Sequence, residues 1–383
     1  MPKKSLLIFY DHFYPAYKAG GPIRSLGNLV KDLSKYFQVS IITSAYDLNY
    51  ESQLNGVTPN SWCSFNDCKI FYCHKDYLTV HKFKKLLSVI KPNVIYLNGL
   101  FSKHLFLKPL LAISSLRSFP YSLIISPRGM LQAGAMRNKF LGKWLYLKCL
   151  KLFLLRMPLA WHATSTQEAK DIQKYFGKKV ALTIIPNIPI SCLSNFQPIK
   201  KEKGQLRLLY LSIIAQKKNL LFALTCLKDL NLPIQFHVYG PVKDKSYWEK
   251  CTDFIQTIAP HIQVEYCGDV DPFKVQEVYV QYHALFLPTQ GENFGHAIFE
   301  CLSAGRPVLI SNTTPWNLIT QKEAGFALAT GDKSSFIKAL QSLWNADQDV
   351  WNSMATNALA IAKGFEETNH SLSDYLQLFN YIP

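Results

Sequence analysis

The sequence predicts an α/β protein of two consecutive doubly wound, Rossmann-like domains facing each other across a cleft. Three observations predict it. The chain has 383 residues, and at roughly 100–200 residues per domain two domains are expected. Short apolar runs alternate with amphipathic stretches, the pattern of parallel sheets covered by helices on both faces. The alternation breaks once, in a polar and basic stretch, and then starts again.

In the first half, strands are expected near Leu6–Phe9, Val39–Thr43, Lys69–Cys73, Val94–Leu97 and Leu123–Ser126, with shorter ones near Leu159–Ala163 and Ala181–Ile185. One intervening helix starts at Pro22, since proline suits a first helical position. Another starts after Ser165, where Ser165-Thr166-Gln167-Glu168 has capping-box spacing. Residues 191–204 hold Ser191, Ser194, Asn195, Pro198, Lys200, Lys201, Glu202, Lys203 and Gly204, the composition of a linker. Strands then fall near Leu206–Leu211, Gln235–Tyr239, Gln263–Tyr266, Ala284–Pro288, Pro307–Ile310 and Phe326–Ala329, and the last 50 residues read as helical. The expected domains are 1–190 and 205–365, with a final helix over 366–383 packing back toward the first. In open α/β sheets ligands bind beyond the carboxyl ends of the strands, so two such edges face to face would make one site with two halves.

Charge separates the halves. The net formal charge is +16. Residues 1–190 carry 26 Lys/Arg against 8 Asp/Glu, while the rest is slightly acidic. No acidic residue lies between Asp76 and Glu168. The basic half is suited to a membrane surface, a phosphorylated acceptor or a nucleic acid. Residues 137–156 sharpen this: Arg137, Lys139, Lys143, Lys148, Lys151 and Arg156 are interleaved with Phe140, Trp144, Tyr146, Phe153 and many leucines. That is the composition of an interfacial helix, although its polar face is imperfect and a core-packing helix has similar residues. No 18-residue apolar run free of charge is present, so a spanning helix is not expected. The basic start Met1-Pro2-Lys3-Lys4 leads into only five apolar residues before Asp11, too few for a signal peptide. Nine cysteines without CxxC pairs argue against a disulfide framework and a structural zinc, and favour a reducing cytoplasm.

The sharpest local signal is Pro288-Thr289-Gln290-Gly291-Glu292-Asn293-Phe294-Gly295-His296, between an apolar strand and a helix that carries Glu300 and ends at Gly305. Gly291 and Gly295 permit a tight turn close to a ligand. Amides of Asn293, Phe294 and Gly295 at the helix start suit an anion. Glu300 is expected about two turns into the helix. One carboxylate can reach sugar hydroxyls and the other a ribose diol. Taken singly, these are also ordinary loop glycines and solvated glutamates.

With its context this stretch resembles the E-x7-E signature of glycosyltransferase family 4, the retaining, group 1 type found in polysaccharide and lipopolysaccharide assembly. Glu292 and Glu300 match its two acids. The resemblance covers nearly the whole chain: Phe9–Gly21 with the doublet Gly20-Gly21, Val94–Leu100, Ser126-Pro127-Arg128-Gly129-Met130-Leu131, Trp161–Ser165, Pro186-Asn187, Leu211–Leu220, Tyr239-Gly240-Pro241, Tyr266-Cys267-Gly268 and Thr314-Pro315-Trp316. It implies the GT-B fold, an acceptor-binding first domain and a donor-binding second one. It implies transfer of a hexose from a nucleotide-diphosphate sugar to a glycan or lipid-linked acceptor, with no cofactor and no metal.

The resemblance also implies roles. Glu292, Lys218 and Arg128 are the catalytic candidates. Gly20, Gly21, Lys217, Asn293, Phe294, Gly295 and Glu300 hold the donor, and Asn98 and Gly99 line the acceptor side. Cations and amides facing the departing diphosphate lower the barrier. The family has an Arg and a Lys after the second domain's first strand; Lys218 matches the Lys, and Ile213 stands at the Arg position. Arg128 stands where many relatives carry a His. It cannot be a general base near neutral pH but can clamp a phosphate or an acceptor anion.

Other readings are weaker. A nicotinamide oxidoreductase lacks its GxGxxG after the first strand and the acid that follows. A nucleic-acid binder has the charge but no recognition motif, and no nucleic-acid partner is expected. A catalytically silent sugar- or lipid-binding relative is suggested by Ile213. The expected setting is the cytoplasm, peripheral to the inner face of the plasma membrane.

Overall fold

A computed structural model describes residues 3–18, 20–48, 52–65, 67–116, 120–137, 140–188, 198–271 and 274–380, without the side chains of Ala133 and Arg137. Residues 191–197 of the expected linker, together with Lys139, lie outside them. The chain forms two compact units, Met1–Ile188 with His370–Pro383, and Pro189–Asn369.

The first unit is built on an eight-stranded sheet: β1 (Ser5–Phe9), β2 (Gln38–Ser44), β3 (Trp62–Phe65), β4 (Cys68–Cys73), β5 (Val94–Asn98), β6 (Ser122–Ser126), β7 (Ala160–Ala163) and β8 (Leu182–Ile184). Its order is β3-β4-β2-β1-β5-β6-β7-β8. Every pairing is parallel except β3 with β4. The central strands β1, β5 and β6 have mostly apolar, buried residues because both faces are covered. Leu7, Phe9, Ile95 and Leu97 feed one core and Leu6, Ile8, Val94 and Tyr96 the other. β3 was not expected. It is a four-residue antiparallel edge strand, with too little alternation to stand out.

Helix starts follow local chemistry. Gly20, at φ 79°, leads into the helix Gly21–Leu33 with Pro22 in its first turn. The Ser165 side chain accepts from the Glu168 amide at the start of the helix Thr166–Phe176. The chain's last described helix, Ser371–Asn380, belongs to this unit, with Phe379 against Phe37 and Tyr96.

The second unit has six parallel strands: β9 (Arg207–Leu211), β10 (Ile234–Tyr239), β11 (Ile262–Gly268), β12 (Ala284–Leu287), β13 (Val308–Ser311) and β14 (Gly325–Leu328). Their order is β11-β10-β9-β12-β13-β14. The first three strands run one way across the sheet and the next three the other, so the order reverses between β9 and β12. This is the position at which doubly wound folds bind ligands. In the first unit the corresponding neighbours are β1 and β5. The helix Gln348–Thr368 packs on the helix His296–Ser303 and carries the second unit past residue 365.

Candidate functional site

In the second unit, the loops leaving β9 and β12 are laced together. After β9 the chain makes a 3-10 turn over Gln216–Lys218, and Asn219, at φ 63°, opens the helix Leu220–Lys228. The Asn219 amide side chain donates to the Pro288 carbonyl at 3.0 Å. The Gln290 amide donates to the Lys217 carbonyl at 2.8 Å. From β13's exit, Thr313 Oγ1 donates to the Thr289 carbonyl at 3.0 Å, and Ser311 Oγ donates to the same carbonyl. The Pro288–Gly295 loop is therefore held from both sides, as a site that must be preorganised requires.

Gly295 caps the helix His296–Ser303 at φ 83°. A Cβ there would stand 3.0 Å from Ile298 Cδ1 and 3.4 Å from Trp316 Nε1, so glycine is required by both conformation and space. Phe294 is an anchor. Its carbonyl accepts from Trp316 Nε1 at 2.6 Å, and its ring packs against Phe299, Trp316 and Phe365.

The two glutamates are not solvated. Lys218 Nζ lies 2.5 Å from Glu292 Oε1, with the side chains only 18% and 11% exposed. Glu300 is 3% exposed and accepts from the Tyr279 hydroxyl at 3.0 Å. It is the fifth residue of its helix, just over one turn in. The expectation of about two turns was too long because the helix begins at His296, after the Gly295 turn. Lys217 borders Gly291. Burial lowers the pKa of its ammonium, Glu292 pulls it back up, and Lys218 and Lys243 lower it again. Ile213, half-buried, occupies the stretch between β9 and the lysine turn.

In the first unit, Asn98 ends β5 and Arg128 follows β6. The two side chains bond one another: Arg128 Nε donates to Asn98 Oδ1 at 2.8 Å. Arg128 also donates to Asn187 Oδ1 at 2.7 Å and to the Tyr96 hydroxyl at 3.0 Å. Tyr96 in turn donates to His162 Nδ1 at 2.6 Å, and His162 Nε2 donates to the Ile185 carbonyl at 2.9 Å. Burial, with Arg128 nearby, pushes the His162 pKa down to about 3. Glu168 accepts from the Gly129 amide at 2.5 Å and from Thr164 N–H and Oγ–H, each at 2.7 Å. The sequence suits Arg128 equally to holding an anion and to a structural role. Here its half-buried guanidinium bonds protein through three of its five N–H groups. Asn98 is likewise turned inward, its amide donating to the Phe9 and Tyr96 carbonyls at 3.3 and 3.4 Å. Gly99, at φ 87°, directly follows β5, and Gly20 caps the helix Gly21–Leu33 that follows β1.

The helix Phe140–Leu154 buries Leu147, Leu150 and Leu154 and leaves Phe140, Leu141, Trp144, Leu145 and Leu152 exposed. Lys148 lies over the Trp144 ring at 3.7 Å, and Lys143 donates to the Ala135 carbonyl at 2.5 Å. No described helix is long and apolar enough to cross a membrane.

Among the described residues, one group of side chains is spaced closely enough to share a metal ion: His237, Glu265 and Cys267, on β10 and β11. It includes none of the predicted site residues.

Tyr279 was not singled out by sequence, and Asn219, Trp316, Tyr96 and Asn187 lay in stretches that carry the resemblance without a role as partners. Nothing local marks a tyrosine 21 residues before a glutamate as its hydrogen-bond donor.

Comparison with known proteins bears on the fold. The fold is that of the GT-B proteins. Sucrose-phosphate synthase from Thermosynechococcus elongatus superposes with a TM-score of 0.75 at 16% identity, over 99% of this chain and 100% of that one. HepE of Anabaena, solved in complex with UDP-glucose, gives 0.72 at 13%, over 97% and 99%. WaaG, a glycosyltransferase involved in lipopolysaccharide biosynthesis, gives 0.67 at 14%, over 99% of each. Residues 205–346 match the family model described as glycosyl transferases group 1. No curated protein matches the sequence. These findings support a glycosyltransferase of the GT-B type, with its group 1 domain in the second unit.

Proposed function

We propose that this chain is a retaining, family 4 glycosyltransferase that moves a hexose from a nucleotide-diphosphate sugar to a glycan or lipid-linked acceptor in cell-surface polysaccharide assembly. The observation that carries the reading is the ion pair Lys218–Glu292 at the sheet's reversal point, with Glu300 on the next helix, inside the group 1 stretch.

In this reading the second unit holds the donor. Glu300 takes the ribose diol and Glu292 the sugar hydroxyls. Lys217, Lys218 and the amides of Asn293, Phe294 and Gly295 face the diphosphate. The bond from the anomeric carbon to the phosphate oxygen breaks, and its electrons go to the diphosphate. The acceptor hydroxyl bonds to the same face of that carbon and gives its proton to the leaving phosphate. Lysine and amide charge opposite the diphosphate lowers this barrier, so neither a metal nor a cofactor is required. The first unit takes the acceptor, with Gly20 and Gly21 near the donor phosphates and Asn98, Gly99 and Arg128 on the acceptor side. Arg128 either exchanges protein partners for a ligand anion or positions the β5 and β6 exits. The exposed apolar face and basic residues of Phe140–Leu154 dock the enzyme on the anionic inner face of the plasma membrane.

The test is release of nucleotide from a panel of nucleotide-diphosphate sugars, with and without acceptor. Donor-dependent release is expected. Donor protection against heat without release would leave a silent binding relative, and neither would refute the donor assignment.

A further inference from the structure

The exits of β9 and β10 run in contact. A Cβ on Gly240 would stand 1.9 Å from the Ser212 carbonyl oxygen. Beyond this, Ile214 and Val242 form a parallel bridge. The Ile214 amide donates to the Pro241 carbonyl at 2.9 Å, and the Lys243 amide donates to the Ile214 carbonyl at 3.1 Å. This pairing sets Lys243 beside the Ile213–Lys218 segment, although 25 residues separate it from Lys218 in sequence.

Among the described residues, no carboxylate forms an ion pair with Lys243. The neighbouring Asp244 is used as a helix cap, accepting from the Tyr247 amide and Ser246 Oγ, each at 3.1 Å. The Lys243 ammonium is held below the ordinary lysine range, first by partial burial and then by the charge of Lys218. Lys217 responds to Lys243 in the same way. The pairing thus brings Lys243 to the segment that carries Lys217 and Lys218, and Lys218 is already 2.5 Å from Glu292. Like charges gathered in a partly desolvated place raise one another's free energy. An anion with more than one negative charge relieves that cost, and a diphosphate matches the excess of cations.

We propose that Lys243 is a third cation of the donor site, gripping the diphosphate of a nucleoside diphosphate and supplying the positive charge that Ile213 lacks. This rests on the donor reading given above.

The experiment is calorimetric titration of the full chain with UDP, GDP, ADP, CDP and dTDP and the matching monophosphates, for wild type, Lys243→Met and Lys243→Arg. Loss of one charged contact weakens the diphosphate that wild type binds by about tenfold in Lys243→Met. Lys243→Arg retains most of that affinity, the monophosphate changes less than about twofold, and the melting temperature is unchanged, as for loss of a phosphate contact alone. Diphosphate affinity equal to wild type in Lys243→Met would overturn the assignment. So would equal weakening of mono- and diphosphate, which indicates a reshaped loop rather than a lost phosphate contact. Wild type binding none of the diphosphates would overturn the donor reading itself, and this assignment with it.

Discussion

The Lys218–Glu292 pair yields the most quantitative prediction about the second unit. The charged atoms are 2.5 Å apart and mostly shielded from water. At an effective dielectric constant of about 20, their direct attraction is about 7 kcal/mol. Desolvation of both groups opposes most of this, so the pair as a whole adds little to stability. Removing one partner is different, because it strands the other charge. A deeply buried pair loses about 3–5 kcal/mol on such a change, and the residual exposure here argues for a value at or just below the bottom of that range. Lys218→Met and Glu292→Gln are each expected to destabilise the second unit by about 2–3 kcal/mol, and the double variant by no more than either single one. Urea denaturation followed by tryptophan fluorescence reads this, since Trp248, Trp316, Trp344 and Trp351 of the seven tryptophans lie in the second unit. Additive losses in the double variant would refute the argument, because they would mean that the two groups do not compensate one another.

Glu300→Ala should keep the fold and weaken nucleotide binding by about 1.5–3 kcal/mol, the worth of hydrogen bonds to a charged group; unchanged affinity in a folded variant would remove Glu300 from the donor site. Ile213→Arg should not raise turnover where Lys217, Lys218 and Lys243 already supply the positive charge, so a large gain in steady-state rate would show that they do not. Vesicle co-sedimentation should show binding to anionic but not neutral liposomes, falling steeply with salt, and Lys143, Lys148 and Lys151 changed together to Glu should abolish it; partitioning onto both vesicle types alike would exclude electrostatic docking. Burial lowers the pKa of His162 to about 3 and of His283 to about 4, against 6.5 for the free side chain. Below pH 6.5 the unfolded chain takes protons that the fold refuses, so stability falls with pH through that window and is flat above it, by on the order of 3 kcal/mol for each histidine. Thermal melting from pH 7.5 to 4.5 checks this, and His283→Gln should flatten the profile of the second unit.

Much of this protein was legible along the chain, because burial leaves a local trace. Strands covered on both faces must be mostly apolar, so β1, β5, β6, β9, β12 and β13 stand out as short apolar runs. Helix starts need caps, and Ser165 and Pro22 announce theirs. A glycine at the head of a helix, as at Gly295, marks backbone that no side chain can occupy. The edge strand β3 escaped because an edge is half solvated and carries little pattern.

Pairing across long stretches of sequence leaves no such trace. Lys218 and Glu292 are 74 residues apart, and only the adjacency of β9 and β12 in the sheet brings them together. The same holds for Arg128. In sequence it is a cation after a strand, equally suited to a ligand or to the interior. The tertiary structure surrounds it with Asn98, Asn187 and Tyr96, because a buried guanidinium must find hydrogen-bond partners wherever the fold supplies them. Sequence determined which segments are strands and helices and which loops are rich in chemistry, since those follow from burial and backbone geometry over a few residues. Strand order alone decided which of those loops meet, and therefore that Lys243, unremarkable along the chain, stands beside the lysine turn: the partner of a buried charge is set by what lies next to it in space, not by what precedes it.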